Sequence, residues 1–393
     1  MKRIYLDNNA TTPQAPEVTE AMRPFFEEHF ANPASTHREG QKVRHRLEAA
    51  RARVAELIEA SPEEIVFTSG GTESINLAIL GAARKRPDGH IVTTAIEHAA
   101  GLEAVRRFEE EGGTATYVRS RSSGDIDPQA VIDAIRPDTV LVSVMHSNNE
   151  TGVLQPIEPL ARECNRRTIL FHTDAAQSCG KISISVRETP VDLVSLAAHK
   201  FYGPKGVGAL YIRKGIDLLP QMFGGGQQGS RRSGTEATAL AVGMGRACEL
   251  ARSAPGSYLE RIAPLRDRLE RGLVAAYPGA TVNGSNALRL PNTSSVRFPG
   301  IRGEEMVISL DLQGIAVSPG AACSSGAHRP SHVLIGMGLG ADLARSSVRF
   351  SLGLYSLPEE IDRVLQVIPE ITAGLRGMGN RMSTAAGKEG DRA

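Results

Sequence analysis

An apolar run, VDLVSLA, leads through Ala198 and His199 to Lys200, and a glycine-punctuated turn, FYGPKG, follows. A lysine at the carboxyl end of a strand projects into the crevice where open α/β sheets bind ligands. Partial desolvation there makes the amine nucleophilic, so Lys200 is a candidate Schiff-base lysine. The segment alone equally suits a solvated loop lysine. Four other segments end apolar runs with residues that could serve the same crevice. In TSGGTESINLAI, Gly71 and Thr72 stand where a strand gives way to a helix, so backbone N–H groups and the helix dipole could cradle a phosphate. The same residues also make an ordinary turn, and the glycine spacing is neither a dinucleotide fingerprint nor a P-loop. In FHTDAAQS, Asp174 could pair with a protonated heterocycle nitrogen and Gln177 could donate to a ring hydroxyl, although a helix N-cap explains Asp174 as well. MHSNNETG offers Asn148, read as a turn residue, and Asn149. TTAIEHAA puts His98 at a helix start, where it could cap the helix or stack on a flat ring and exchange protons near neutral pH.

The elements that must hold these residues alternate. Strands are predicted at EIVFTS, HIVTTA, TATYV, TVLVSVM, TILFHTD, DLVSLA and GVGALYI, with helices from Thr72, over 97–111, after Asp127 and over 157–166. Short β-rich runs alternating with helices imply a mostly parallel sheet covered on both faces. GALYI follows its predecessor too closely for a helical crossover and should pair antiparallel. About one βα crossover separates Asp174 from Lys200, which would set them at the carboxyl edge of neighbouring strands. Upstream, 17–60 reads as two helices, with Arg44, Arg46, Arg51 and Arg53 as a solvated face. Downstream, a long helical stretch over 235–276 leads to a smaller α+β unit with a Gly/Ser-rich loop around Cys323 and a helix over 358–375. The expected organisation is an N-terminal segment 1–14 joining the small domain, a large domain 15–255, a small domain 256–376 and a disordered tail 377–393.

Composition narrows the function classes. The chain has 393 residues, 45 Lys+Arg against 44 Asp+Glu, so no global field recruits nucleic acid or an acidic membrane. The start, MKRIYLDNNATTP, lacks the apolar core of a signal peptide, and no apolar run approaches bilayer length, which places the protein in the cytoplasm. The cysteines Cys164, Cys179, Cys248 and Cys323 are far apart, without zinc or dithiol spacing, so no metal site is expected and any cysteine chemistry belongs to a single thiol. The first three sit in or beside apolar helices and read as packing residues.

Taken together, YLDNNATTP, TSGGTESINLAI, the Glu97-His98 pair, MHSNNETGVLQPI, HTDAAQS, AHKFYGPKGVGALYIR, RRSGT and SSVRFSLG resemble, in order and over almost the whole chain, the signatures of the cysteine desulfurases of the NifS and IscS family. The resemblance implies a fold type I transferase: a large domain with a mostly parallel seven-stranded sheet, a smaller α+β domain, pyridoxal 5'-phosphate as cofactor and a homodimer. It implies that Lys200 forms the Schiff base, Asp174 keeps the pyridine nitrogen protonated and Gln177 bonds the ring hydroxyl. His98 would stack on the ring, and Asn149 would lie against cofactor or substrate. Gly71, Thr72, His199 and Thr235 of the other subunit would hold the phosphate, and Arg349 would take the substrate carboxylate through a bidentate fork.

Cys323, in AVSPGAACSSGAHRP, would be the nucleophile that takes sulfur from L-cysteine as a persulfide and releases alanine. His328 reads as an exposed loop histidine. The short loop resembles the group I enzymes, whose acceptors are Fe-S scaffold proteins or tRNA-thiolating enzymes; Cys323 could transiently meet a cluster on such a partner. Two departures stand out: Ala197-Ala198 replaces the SG of the family's SxSGHK, removing a serine phosphate ligand, and AACSSGAHRP replaces SACTSxSLEP. Rival readings are a selenocysteine lyase, a cysteine sulfinate desulfinase or another aminotransferase-like enzyme on the same fold, and a catalytically vestigial scaffold dimer.

Overall fold

The strands of the large sheet alternate their side chains between two apolar layers. Ile91, Leu141, Leu193, Leu210 and Ile212 face one buried cluster, and Val92, Val142, Val194, Ala209 and Tyr211 face another. A period of two with both faces apolar requires helices on both sides. The helices Gly71–Ala83 and Ala99–Glu110 cover the first layer, and Arg38–Leu57 and Thr238–Ala251 cover the second. This computed structural model describes residues 3–320 and 330–390, with side chains as far as residue 376.

In chain order the strands are β1 (Ile4–Tyr5), β2 (Ile65–Thr68), β3 (His90–Thr94), β4 (Thr114–Val118), β5 (Thr139–Ser143), β6 (Leu170–Asp174), β7 (Leu193–Ala197) and β8 (Gly208–Ile212). They continue with β9 (Thr281–Val282), β10 (Thr293–Arg297), β11 (Ile315–Ala316), β12 (Ser318–Pro319) and β13 (Ser347–Ser351). The seven-stranded sheet runs β2-β8-β7-β6-β5-β3-β4. Its pairings are parallel except those of β8, which is antiparallel to both β7 and β2, as its short connection predicts. The carboxyl ends of β2, β3, β5, β6 and β7 therefore lie at one edge, and β6 and β7 are neighbours, as the Asp174–Lys200 spacing requires.

A second, four-stranded antiparallel sheet, β12-β13-β10-β9, packs with the Ala263–Ala276, Gly303–Leu312 and Pro358–Gly390 helices around its own core of Val296, Phe298, Val348 and Phe350. Ile4 and Leu6 belong to that core, and β1 pairs parallel with β11.

Several expectations need correction. Arg51 is buried rather than solvated: its Nη1 donates to Ile65 O (2.7 Å) and Gln228 Oε1 (2.8 Å), and its guanidinium lies 5.0 Å from the Phe67 ring centroid. A guanidinium can be buried when hydrogen bonds and a ring face replace its water. The connection from β6 to β7 holds turns instead of a helix. The first helical region divides into Pro16–Met22, Pro24–Glu27 and Arg38–Leu57, since Pro24 cannot continue the preceding helix. The 235–276 stretch likewise divides into Thr238–Ala251, Ala254–Ser257 and Ala263–Ala276, with a π-helical turn at Tyr258–Ile262. The last helix runs Pro358–Gly390, beyond the 375 at which the sequence pattern ends it.

Candidate active site

Five strand ends deliver their side chains into one cavity of about 340 Å³. Behind β2 come Gly71 and Thr72, behind β3 His98, behind β5 Asn149, on β6 and its turn Asp174 and Gln177, and behind β7 His199 and Lys200. Arg349 enters from β13 of the second sheet, and Asn9 and Ala10 come from the segment after β1.

Lys200 ends a 3-10 turn, Ala198–Lys200, and its Nζ donates to Asn9 O (2.7 Å) and Ala10 O (2.9 Å). His98 is both cap and cavity residue: its Nδ1 accepts from Ala100 N (3.1 Å), which leaves the proton of a neutral ring on Nε2. Burial pulls the His98 imidazole below its usual range, and the neighbouring Asp174 pulls it back up. The same burial raises the Asp174 carboxyl, offset by His98, the Ala176 N–H (2.9 Å from Oδ1) and Lys200. No helix follows Asp174, so the N-cap reading gives way to a turn at the cavity floor. His199, held through Nδ1 by Thr11 Oγ1 (3.1 Å), is pushed down to about 4 by burial and by the Lys200, Lys205 and Lys181 charges, so it is neutral at physiological pH.

Arg349 is 1% exposed. Its Nη2 donates to Asp7 Oδ1 (2.7 Å) and its Nη1 to Asn149 O (3.0 Å), while its buried Nε has no partner. An orphan donor in a buried guanidinium points to an acceptor brought by a ligand. A second cavity of about 350 Å³ shares Ala10, Gly71, Thr72 and His199 with the first and adds Ser69 and Lys205. The Gly71–Ala83 helix opens onto it without a side-chain cap, leaving its first N–H groups for an anion. A Cβ at Gly71 would sit 3.3 Å from Ala197 Cβ, a tight approach that suits glycine there. Donor amides, a buried carboxylate and an orphan guanidinium nitrogen around one lysine fit a phosphorylated, protonated heterocyclic aldehyde such as pyridoxal phosphate.

Some predicted residues lie elsewhere. Thr235 lines a different cavity, of about 200 Å³, with Arg232 and Gln228. Asn148 makes the expected turn, its Oδ1 accepting from Glu150 N (2.9 Å) and Thr151 N (3.0 Å). Cys164, Cys179 and Cys248 are buried, with burial raising the first two thiols to about 12 and Cys248 well above its usual value. Cys323 and His328 lie outside the described residues. Sequence reasoning passed over Asp7, Asn9 and Lys181. The polar DNNA run, too short to build an element of its own, was the available signal for the first two.

The fold and the site define a class of enzyme. The sequence model of the family Aminotransferase class-V matches residues 4–364, nearly the whole described chain. The chain is 45% identical over 379 residues to a protein named cysteine desulfurase IscS from Dictyoglomus turgidum, covering 96% of each. It is 46% identical over 380 residues to the cysteine desulfurase IscS of an Anaeromyxobacter species, covering 95% of this chain and 94% of that one. Among solved structures, a NifS-like protein superposes with a TM-score of 0.89 at 39% identity, over 95% of this chain and 100% of that one. A structure described as SspA in complex with cysteine gives 0.81 at 38%, over 90% and 100%. The chain belongs to the cysteine desulfurases of the NifS/IscS family.

Proposed function

We propose that this protein is a pyridoxal phosphate-dependent cysteine desulfurase that moves sulfur from L-cysteine to Cys323 and then to an acceptor. The observation that carries the reading is the convergence of Lys200, Asp174, His98 and Arg349 on one cavity at the carboxyl edge of the sheet. The relatives' names and the structure of SspA with cysteine support the substrate.

Gly71, Thr72 and His199, with Lys205 beside them, would hold the phosphate; the helix amides and the Lys205 ammonium take over where Ala197 has no hydroxyl. Asp174 would hold the ring nitrogen, His98 the ring face, Gln177 the ring hydroxyl, and Lys200 the aldehyde carbon. When bound, pyridoxal phosphate supplies an electron sink for the pair left at the substrate Cα. Arg349 orients the substrate through its carboxylate, with Asn149 held alongside by its own carbonyl on Arg349. Lys200 Nζ and His98 Nε2 are the groups placed to move protons. The Cys323 thiolate attacks the substrate sulfur: the C–S bond breaks, an S–S bond forms, the carbon skeleton gains a proton and leaves as alanine, and the sulfur stays as a persulfide.

Sulfur leaves to an Fe-S scaffold or a tRNA-thiolating enzyme in the cytoplasm. We read the enzyme as a homodimer, with Thr235 completing the phosphate site of the other subunit. Its exposed position, apart from the Lys200 cavity, and the exposed Phe26, Phe30 and Phe223 support that reading. Among the described residues no helix is long and apolar enough to cross a membrane, and no His/Cys/Asp/Glu group could hold a metal.

The test is product analysis on the cofactor-loaded protein. L-Cysteine with a thiol reductant should give alanine and sulfide in equal amounts. Selenocysteine or cysteine sulfinate turning over while L-cysteine does not would move the assignment to a lyase or desulfinase.

A further inference from the structure

Beneath the cavity lies a buried lysine that takes no part in the chemistry proposed for Lys200, Asp174, His98 and Arg349. Lys181 is 1% exposed and does not line the cavity. Its Nζ donates to Gln177 O (2.9 Å) and Gln177 Oε1 (2.9 Å) and reaches Asn9 Oδ1 at 3.5 Å. An ammonium has three protons and no lone pair, so it accepts nothing. The carboxamide of Gln177 must therefore turn its oxygen to Lys181 and its nitrogen away. That nitrogen donates to Asn9 O (2.9 Å), the same carbonyl that receives Lys200 Nζ. Asn9 is fixed in turn: its Oδ1 also accepts from Asn292 Nδ2 (3.0 Å), and its Nδ2 donates to Thr293 Oγ1 (2.8 Å).

We propose that Lys181 is a positioning residue which, by holding the Gln177 carboxamide oxygen, makes the donor end of that amide the one that faces the Lys200 cavity. The inference rests on the pyridoxal phosphate reading, in which Gln177 must donate to the ring hydroxyl. A buried ammonium is a costly way to fill space, and an apolar side chain would pack as well. Desolvation, with the Lys200 and Arg349 charges, pulls the Lys181 amine down to about 7, against the ammonium, but its neighbours Gln177 O, Gln177 Oε1 and Asn9 Oδ1 are all acceptors, so Nζ meets them as a donor in either protonation state.

The experiment titrates apoprotein with pyridoxal phosphate, reading the dissociation constant from visible absorbance and the pH midpoint of the visible band, with circular dichroism as the check on folding. The proteins are the wild type, Lys181→Met, Lys181→Gln, Gln177→Leu and the Lys181→Met/Gln177→Leu double variant. Lys181→Gln fills the site with a polar chain but can turn either amide end to Gln177, so it keeps the fold measurable while losing the donor-only selection. Lys181→Met and Lys181→Gln should each bind about tenfold more weakly, the loss of about one charge-assisted hydrogen bond, with a displaced midpoint. The double variant should bind no more weakly than Gln177→Leu alone, because the residues act through one contact. Either Lys181 variant matching the wild type in both readouts, or losses that add in the double variant, would overturn the role of Lys181 while leaving the cofactor assignment intact. A wild type that binds no pyridoxal phosphate would overturn both.

Discussion

Glu97 offers the most quantitative test of the site's electrostatics. It is buried beside His98, its Oε1 accepts from Thr94 Oγ1 (2.6 Å) and Met145 N (3.0 Å), and its backbone carbonyl meets His332 Nε2 (2.9 Å). Burial pushes its carboxyl from 4.5 up to about 8, with the charge of Asp174 adding to the rise. Glu97 is thus protonated at neutral pH, and Asp174 is spared a second anion beside it. In the unfolded chain Glu97 ionises near 4.5, so between that value and about 8 the folded state binds the extra proton. Stability then falls as pH rises through that window, at about 1.4 kcal/mol per pH unit and by roughly 5 kcal/mol in total. Glu97→Gln keeps the shape and the accepting oxygen but cannot ionise. Urea unfolding of both apoproteins from about pH 5 to 9 should show near-equal stability at the acid end and the variant ahead by several kcal/mol at the alkaline end. Other titrating groups, Glu150 among them, are common to both proteins and cancel in the difference. A stability difference that does not change with pH would mean that Glu97 ionises alike in the folded and unfolded chains.

Arg349→Lys should raise KM for cysteine by about 10- to 100-fold, since an ammonium replaces neither the fork nor the orphan Nε, while cofactor absorbance is unchanged; an unchanged KM in steady-state assays would count against the carboxylate role. Ala197→Ser restores a hydroxyl at the buried edge of the phosphate cradle, so cofactor should bind about three- to tenfold more tightly in an absorbance titration of apoprotein. Weaker binding would show that the close approach of Gly71 leaves no room for the oxygen.

The strand ends were legible because period-two apolar runs and their glycine-rich exits are local signals, and the carboxyl-edge rule turns them into one site. His98, Asp174 and Lys200 were found in this way. Asp7, Asn9 and Lys181 were not, because their roles come from partners hundreds of residues away or buried beneath the cavity: Asp7 answers Arg349, and Asn9 answers Thr293 and Ser351. Arg51 was misread for the same reason, since helical spacing places it among solvated arginines and only the distant Gln228 shows why it is buried.

The central claim is that substrate sulfur passes to Cys323. Mass spectrometry of the cofactor-loaded enzyme after one turnover with L-cysteine, without reductant, tests it directly. One added sulfur atom should appear on the peptide carrying Cys323, with alanine formed in equal amount, and Cys323→Ala should keep its visible absorbance but make no persulfide. Sulfur on Cys164, Cys179 or Cys248 instead, or undiminished desulfuration in Cys323→Ala, would contradict it.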